Sequence, residues 1–269
     1  MTNTETASRW RLNGRRALVT GGTKGIGAAI VHELLGLGAT VTLVARNESE
    51  VQARVSELRA AGLDAHGTQA DLSTNNGRET ALSYAATQMG GLDILVNNVG
   101  TNVRKPSLDI TPDEYERVFG TNLTGMWEAC RAAYPYLSEA ARETGDAVII
   151  NIGSVAGNRS VGSGGPYAIS KAAVDQLTRY LAVEWARVPV RVNAVNPWYT
   201  RTPLASPVLE NPDFVARVLS FTPNKRVAEP EDISGLAAFL CLPAARHITG
   251  QTVAVDGGYS ARGFNFTGE

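Results

Sequence analysis

The stretch Ala17-Leu-Val-Thr-Gly-Gly-Thr-Lys-Gly-Ile-Gly27 joins a short apolar run to a glycine-rich turn. The run predicts a strand over 17–20, and the apolar stripe that follows predicts a helix over 26–37, which Gly38 ends. The same alternation continues along the chain. It predicts strands over 40–45, 65–70, 92–97, 147–152, 190–195 and 251–255, and helices over 48–61, 75–89, 112–141, 166–187 and 229–242.

This alternation predicts the fold class. Apolar strands separated by helices form a parallel sheet that is covered on both faces. Right-handed crossovers then give an α/β fold with a single doubly wound parallel sheet, the Rossmann fold. No linker, internal repeat or low-complexity segment divides the sequence, so we expect one domain over 1–269. The segment 198–226, rich in Pro, Ser and Asn, is longer than a usual connection and is expected to form a substrate lid.

Composition and charge narrow the class of protein. The formal net charge is −1 and no basic stripe occurs, which argues against nucleic acid as the main partner. The two cysteines are far apart and the three histidines are scattered, so we expect buried thiols in a reducing compartment and no metal site. No apolar run reaches the roughly 18 residues that a membrane helix needs, and residues 1–12 lack a signal-peptide core. We therefore expect a cytoplasmic protein without a membrane partner.

The glycine-rich turn is a candidate phosphate-binding loop. Glycine permits a tight turn and lets backbone N–H groups approach a pyrophosphate at a helix N-terminus. The spacing is G-x-x-x-G-x-G rather than the standard G-x-G-x-x-G, and the glycines alone leave a plain tight turn open as the alternative. The strand before them and the helix after them favour a dinucleotide site. The candidate ligands are Gly21, Thr23, Lys24, Gly25, Ile26 and Gly27.

The end of the second strand bears on which dinucleotide binds. NAD sites usually place a carboxylate there for the ribose diol, but this chain has Ala45 followed by Arg46. A guanidinium suits a 2′-phosphate, and Lys24 can add a second cation. The alternative is that both are ordinary solvated charges, and Glu48 lies two residues beyond Arg46. We expect NADPH (NADP+) in preference to NADH.

Two further strand ends supply candidate contacts for the nucleoside. Asp71 follows the third strand, where its carboxylate can accept from the adenine amino group while Leu72 packs on the ring. Alternatively, Asp71 caps the next helix, or does both. The small turn after the fourth strand permits close approach to the ribose, although a turn without a ligand is the alternative. The candidates in that turn are Asn98, Val99 and Gly100.

A second group of residues is suited to proton transfer. Tyr167 and Lys171 are four residues apart and so lie on one face of a helix. An adjacent ammonium favours the phenolate, which lowers the tyrosine pKa from about 10 and allows proton exchange with an alkoxide near neutral pH. Ser154, after the fifth strand, can hydrogen-bond the same oxygen, and Asn122 can bond a water that links to Lys171. A tyrosine and a lysine at this spacing are common by chance, so Ser154 is what favours the catalytic interpretation.

Together these motifs resemble those of the short-chain dehydrogenase/reductase family. The resemblance runs over 9–261 and is carried by Thr20-Gly-x-x-x-Gly-x-Gly27, Asn97-Asn-Val-Gly100, Asn122, Ser154, Tyr167-x-x-x-Lys171 and Asn196-Pro197. Within the family, the chain looks most like the tropinone-reductase-like group of NADPH ketone reductases, through Arg9-Trp-x-Leu-x-Gly14, Val44-Ala-Arg-Asn47 and Asp175-Gln-Leu-Thr178. It departs from the family pattern at Val99, where Ala is usual, and at Trp198, where Gly is usual.

The resemblance implies a role for each candidate. Tyr167 would be the general acid in reduction, Ser154 would orient the carbonyl, and Lys171 would hold the nicotinamide ribose. Asn122 would support a water relay to Lys171. The resemblance also implies a homotetramer. It further implies that the cofactor is contacted by Pro197, Thr200 and Thr202, with the two threonines at the nicotinamide carboxamide.

The substrate is expected to be a neutral, cyclic or hydrophobic ketone or secondary alcohol, because the residues expected to face it are mostly apolar. They are Ser154, Val155, Asn158, Val161, Tyr167, Trp198, Tyr199 and Leu204. Trp198 and Tyr199 are expected to form an aromatic wall, with simple packing of Trp198 against the lid as the alternative. Arg104 and Arg159 would contradict a neutral substrate if they pointed inward.

The sequence leaves three functions open. The favoured one is an NADPH-dependent carbonyl reductase, an oxidoreductase that acts on CH–OH groups and ketones. The second is an NAD(P)-dependent alcohol dehydrogenase that works in the oxidative direction. The third is a non-catalytic nucleotide sensor on the same fold, and the presence of both Tyr167 and Lys171 argues against it.

Overall fold

The computed structural model describes residues 7–263 and contains one sheet of seven parallel strands. The strands are β1 Arg16–Thr20, β2 Thr40–Ala45, β3 Ala65–Gln69, β4 Ile94–Asn97, β5 Ala147–Ile152, β6 Val190–Pro197 and β7 Thr252–Val255. Their order across the sheet is β3-β2-β1-β4-β5-β6-β7, and every neighbouring pair is parallel.

Helices cover both faces of this sheet. They are α1 Gly25–Gly36, α2 Glu48–Ala60, α3 Asn75–Met89, α4 Pro112–Phe119, α5 Gly125–Thr144, α6 Gly165–Glu184, α7 Ser206–Leu209, α8 Pro212–Phe221 and α9 Pro230–Cys241. One face is packed by α1, α2 and α9, and the other by α3, α5 and α6. The doubly wound fold predicted from the alternation is therefore confirmed. No helix within 7–263 combines the length and apolar character needed to cross a membrane.

Strand side chains alternate between the two cores, because successive residues of a strand point to opposite faces. In β1, Ala17 and Val19 belong to the core under α1, whereas Leu18 belongs to the core under α5. In β5, Ile150 belongs to the core under α1 and Ile149 to the core under α5, and both are fully buried. Burial of a side chain of this size contributes about 1.5–3 kcal/mol. The sheet is thus a rigid base for the loops at its carboxyl edge.

Two segments differ from the sequence prediction. The helix predicted over 112–141 is divided, because a π-helical turn occupies Gly120–Thr124 between α4 and α5. Such a turn inserts one extra residue and redirects the side chains within it. The segment 198–226, called the lid segment below, is more regular than predicted, since it contains α7 and α8. The other predicted bounds agree with the structure to within three residues.

The strand order creates a crevice at the carboxyl edge of the sheet. From β1 the chain winds outward to β2 and β3, and then returns to β4 on the other side of β1. Ligands of such sheets bind where the winding reverses. The loops after β1 and β4 are joined there, because the N–H of Asn98 donates to Thr20 Oγ1 at 2.9 Å and Asn98 Nδ2 donates to the Thr20 carbonyl at 3.0 Å.

Candidate active site

A cavity of about 550 Å³ opens at this edge of the sheet, and its wall brings together most of the residues predicted from the sequence. Those in the wall are Gly21, Thr23, Lys24, Gly25, Ile26, Arg46, Asp71, Leu72, Asn98, Val99, Gly100, Ser154, Val161, Tyr167, Lys171, Pro197, Trp198, Tyr199, Thr200, Thr202 and Leu204. Four predicted residues lie outside it: Gly27, Asn122, Val155 and Asn158.

The turn after β1 is shaped to hold an anion. Lys24 is the N-cap of α1 without a capping side-chain hydrogen bond, whereas Asn47 and Thr74 cap α2 and α3 with their side chains. N–H groups left without a partner at a helix N-terminus attract phosphate. Gly27 lies behind this turn, where a Cβ would be 2.2 Å from the carbonyl oxygen of Gly21. The residues therefore fit the pyrophosphate of a dinucleotide, which the backbone N–H groups of the turn would hold.

The cations predicted to bind a 2′-phosphate have unequal surroundings. Arg46 is exposed in the cavity wall, but Lys24 Nζ donates to Glu50 Oε1 at 2.8 Å. Glu50 is in the cavity wall, whereas Glu48, the carboxylate singled out from the sequence, is not. The carboxylate close to Lys24 in the cavity wall is therefore Glu50. A helix turns about 100° per residue, so positions 48 and 50 of α2 point in different directions.

Asp71 supplies an ionised carboxylate at the nucleoside end of the cavity. Its Oδ1 accepts from the N–H of Ser73 at 3.0 Å and from Ser73 Oγ at 2.8 Å. These bonds hold the pKa of Asp71 below its ordinary value, and the charge of Arg46 contributes in the same direction. The alternative that Asp71 caps α3 is wrong, because Thr74 Oγ1 accepts from the N–H of Gly77 in that role.

Tyr167, Ser154 and Lys171 share the cavity wall. Burial raises the pKa of Tyr167, and a hydrogen bond with Ser154 offsets part of the rise. Lys171 Nζ donates to the carbonyl of Ile152 at 2.7 Å and lies 5.7 Å from the centre of the Tyr167 ring. An effect of Lys171 on the Tyr167 pKa stays a prediction. Burial lowers the pKa of Lys171 itself to about 8, and the charge of Asp175 opposes this shift.

Asn122 is buried in the π-helical turn, behind the cavity wall. Its Oδ1 accepts from the N–H of Thr101 at 2.8 Å, and its Nδ2 donates to the Thr101 carbonyl at 2.9 Å and to Ser170 Oγ at 3.1 Å. Ser170 precedes Lys171 on α6. The amide therefore ties the loop after β4 to the helix that carries Tyr167 and Lys171. A water between Asn122 and Lys171 stays a prediction.

Aromatic rings form one side of the cavity. Trp198 stacks on Tyr259 with ring centres 3.8 Å apart and meets Tyr199 edge-on at 4.6 Å. Its Nε1 also donates to Thr222 Oγ1 of the lid segment at 3.1 Å. Both sequence interpretations of Trp198 therefore describe the structure, because the ring lines the cavity and is also fixed to the lid segment.

Val155 and Asn158 do not face the cavity, contrary to the sequence prediction. Ser154 is followed by a 3₁₀ turn over Val155–Gly157, and its Oγ accepts from the N–H of Ala156 at 3.1 Å. This tight turn directs Val155 into the core, where it is fully buried, and places Asn158 outside the cavity wall. Spacing along the sequence does not reveal such a turn.

The cavity wall also contains residues that the sequence analysis did not assign to it, among them Glu50, Asn102, Arg104, Ser163 and Ala205. Arg104 Nη2 donates to the carbonyl of Leu204 at 3.1 Å, which joins the loop after β4 to the lid segment. Arg159 instead donates to the carbonyl of Ser260 at 2.7 Å and lies outside the wall. Arg104 lies in the cavity wall, which corrects the premise that few charged residues face the substrate. The sequence analysis had named Arg104 and Arg159 as the residues that would contradict a neutral substrate, and Arg104 is the one that lies in the wall.

Comparison with known proteins decides the family. A family model described as Enoyl-(Acyl carrier protein) reductase matches residues 21–260 of the chain. A tropinone reductase homolog of Arabidopsis thaliana is 45% identical over 263 residues, which is 97% of this chain and 98% of that protein. The chain belongs to the short-chain dehydrogenase/reductase family. The family predicted from the motifs is therefore confirmed, and the chain is an oxidoreductase.

Solved structures of other family members are similar to this dehydrogenase/reductase over nearly its whole length. A gluconate 5-dehydrogenase from Burkholderia cenocepacia in complex with NADP and tartrate has a TM-score of 0.91 and 31% identity, and the match covers 96% of this chain and all of that one. A 7α-hydroxysteroid dehydrogenase complexed with NADH and 7-oxo glycochenodeoxycholic acid has a TM-score of 0.89 and 30% identity, and the match covers 96% of this chain and 98% of that one. These neighbours support a nicotinamide dinucleotide as cofactor without choosing between its phosphorylated and unphosphorylated forms.

Proposed function

We propose that this dehydrogenase/reductase uses NADPH to reduce a cyclic or hydrophobic ketone to a secondary alcohol. The observation that carries the proposal is one cavity in which the phosphate-binding turn and the proton-transfer residues Tyr167, Ser154 and Lys171 share a wall. The similarity to a tropinone reductase homolog supports the same class of reaction. Reduction is proposed as the working direction because the Arabidopsis relative is named as a reductase homolog.

Tyr167 is suited to act as the general acid. When bound, NADPH supplies a hydride for the carbonyl carbon. The carbonyl oxygen then needs a proton, which the Tyr167 phenol can donate. Because burial raises the pKa of Tyr167, the phenol keeps its proton near neutral pH, as reduction requires. Oxidation would need the phenolate instead. Ser154 Oγ accepts from the N–H of Ala156 and its hydroxyl is hydrogen-bonded with Tyr167, so its O–H would turn from the phenol to the substrate oxygen when a ketone binds.

The ribose end of the cavity supports NADPH over NADH. Ala45 ends β2, where an NAD site would have a carboxylate, and the exposed Arg46 follows it in the cavity wall. The pairing of Lys24 with Glu50 makes Arg46 the principal cation for a 2′-phosphate. We propose that Lys24 exchanges its carboxylate partner for the phosphate when NADPH binds.

Replacing Arg46 with alanine is expected to lower kcat/KM for NADPH by about 10- to 100-fold, because a hydrogen bond to a charged group contributes about 1.5–3 kcal/mol. The value for NADH should change by less than about twofold, since it lacks the 2′-phosphate. Steady-state rates with both cofactors at one ionic strength measure the effect. Arg54→Ala is the matched control. Arg54 is an arginine of α2 that pairs with Glu57 and does not line the cavity. Equal losses with NADPH and NADH in Arg46→Ala would contradict the proposal.

Cofactor affinity should depend on the charge of Lys171. Burial lowers its pKa to about 8, so the ammonium is present below that pH and is lost above it. We expect NADPH affinity to fall by up to about tenfold between pH 7 and pH 9 as this donor loses its charge. The pKa values of Tyr167 and Tyr199 are raised above 10, which keeps both phenols neutral over this range. Fluorescence titration of NADPH measures the affinity, and Lys171→Met should bind weakly with a flat profile. An NADPH affinity that does not change with pH in the unmodified protein would contradict the role proposed for Lys171.

The quaternary structure and the location of this protein stay predictions. Apolar side chains exposed on α6 support the expected homotetramer, since Ile169, Tyr180 and Val183 are each more than half exposed in the single chain. An exposed apolar face of this kind is typical of an interface. The cytoplasmic location rests on the sequence alone.

A further inference from the structure

The carboxylates in the cavity wall lie at one of its two ends, together with Lys24 and Arg46. Within residues 7–263, the wall contains two carboxylates, Glu50 and Asp71, and they follow β2 and β3 on one side of the sheet. Arg104 follows β4 on the other side, near the lid segment. The substrate end therefore has a cation and no described carboxylate in its wall. Such an arrangement attracts an anion.

Arg104 is an exposed residue of the cavity wall that also contains the proton-transfer residues. One of its N–H groups, on Nη2, donates to the carbonyl of Leu204 at 3.1 Å. Its charge also acts on the phenols of Tyr167 and Tyr199, which places the guanidinium within electrostatic range of the oxygen that donates the proton. A guanidinium has five N–H donors in a planar fork, so the bond to Leu204 leaves several for a ligand. A planar fork matches a carboxylate in a bidentate arrangement.

Asn102 adds an independent observation. Its Oδ1 is buried without a hydrogen-bond donor among the described residues, and it lies against Gly164, where a Cβ would be 2.9 Å away. The Nδ2 of the same carboxamide carries two N–H donors. Asn102 is itself part of the cavity wall. Asn102 thus brings two potential N–H donors to the cavity wall, two residues before Arg104.

We infer that Arg104 and Asn102 form a subsite for a carboxylate of the substrate, so that the ketone reduced here is an oxo acid with an apolar frame. The inference rests on the proposed function and names its substrate class. The carbon frame would lie against Trp198 and Tyr199, the carbonyl would be at Tyr167, and the carboxylate would be at the guanidinium. The chemistry of reduction is unchanged, because the carboxylate only positions the ketone.

The test compares each oxo acid with its own carboxamide, which has nearly the same shape and no charge. The panel contains 3- and 4-oxocyclohexanecarboxylate and open-chain 4- and 5-oxo acids, with NADPH at saturation. We expect at least one acid to exceed its carboxamide in kcat/KM by about tenfold, the size expected for a charge-assisted hydrogen bond at a partly exposed site. This ratio should decrease as salt is added, because salt screens exposed charges.

Two variants separate binding by Arg104 from a role in folding. Arg104→Met should bring the acid-to-carboxamide ratio close to one, and Arg104→Lys should restore part of it. Arg159→Met is the matched control and should keep the ratio of the unmodified protein, because Arg159 donates to Ser260 away from the cavity. The salt dependence uses the unmodified protein, so the test stands even if Arg104→Met does not fold.

The outcomes distinguish this inference from the proposed function. Reduction of carboxamides or neutral ketones, with no acid preferred over its carboxamide, would overturn the carboxylate subsite and leave the reductase proposal intact. A preference for acids that survives in Arg104→Met would also overturn the subsite. Absence of NADPH consumption with every ketone would overturn both proposals.

Discussion

Replacing Tyr167 with phenylalanine should lower kcat for ketone reduction by about 10²- to 10⁴-fold, the range that positioned acid–base groups supply. The variant removes only the phenolic O–H, and the ring can keep its half-buried position on α6. Ser154 remains, but a serine hydroxyl is a far weaker acid than a phenol. Pre-steady-state mixing with NADPH and the best ketone of the panel measures the rate of hydride transfer directly.

Cofactor affinity separates a chemical role of Tyr167 from a structural one. We expect NADPH to bind to Tyr167→Phe within about twofold of the unmodified protein, since Lys171 and the turn after β1 are unchanged. Tyr180→Phe is the matched control, because Tyr180 is also on α6 but is 54% exposed. If Tyr167→Phe kept more than a tenth of the activity, another group would have to be the acid. The same measurement tests the sensor alternative, which predicts no turnover in either protein.

Local patterns were sufficient to predict the sheet and the position of its ligand edge. Successive residues of a strand point into the two cores, as Ile149 and Ile150 do. A continuous apolar run in the sequence is therefore what a strand covered on both faces requires. The glycine-rich turn could also be placed, because a strand end and a helix start are local signals. For the same reason, Tyr167 and Lys171 could be placed on one face of a helix.

Features that depend on contacts between distant segments could not be predicted in the same way. Arg104 reaches the cavity with a bond to Leu204, which is 100 residues away in sequence. The π-helical turn at Asn122 is fixed by bonds to Thr101 and Ser170. The rise in the Tyr167 pKa reflects burial by many neighbours, and no single residue encodes it. The proposed preference for a carboxylate rests on such contacts, and the sequence analysis, which lacked them, favoured a neutral ketone.

Replacing Gly27 with alanine adds one methyl group to the phosphate-binding turn after β1. We expect it to weaken cofactor binding more than a methyl group added at any other position of that turn. A Cβ at Gly27 would lie 2.2 Å from the carbonyl oxygen of Gly21 and 2.4 Å from Asn98 Nδ2. The first contact is with backbone, so the turn itself must shift. Overpacking of this kind costs about 1–3 kcal/mol of folding stability. The shift also moves the N–H groups that would hold the pyrophosphate, and we expect NADPH affinity to fall by about 100-fold or more.

Gly36→Ala provides the control within the same helix. Gly36 is the last residue of α1, and a Cβ there would meet no atom within 4 Å. Because alanine has the higher helix propensity, this variant should raise the free energy of unfolding by up to about 1 kcal/mol and leave NADPH affinity unchanged. Chemical denaturation and NADPH titration on both variants measure the two effects separately. If Gly27→Ala bound NADPH as tightly as Gly36→Ala, the turn after β1 could not hold the pyrophosphate in the proposed way. A loss of affinity in Gly27→Ala that exceeds its loss of stability would instead locate the phosphates at the N-terminus of α1, where Lys24 leaves the helix without a side-chain cap.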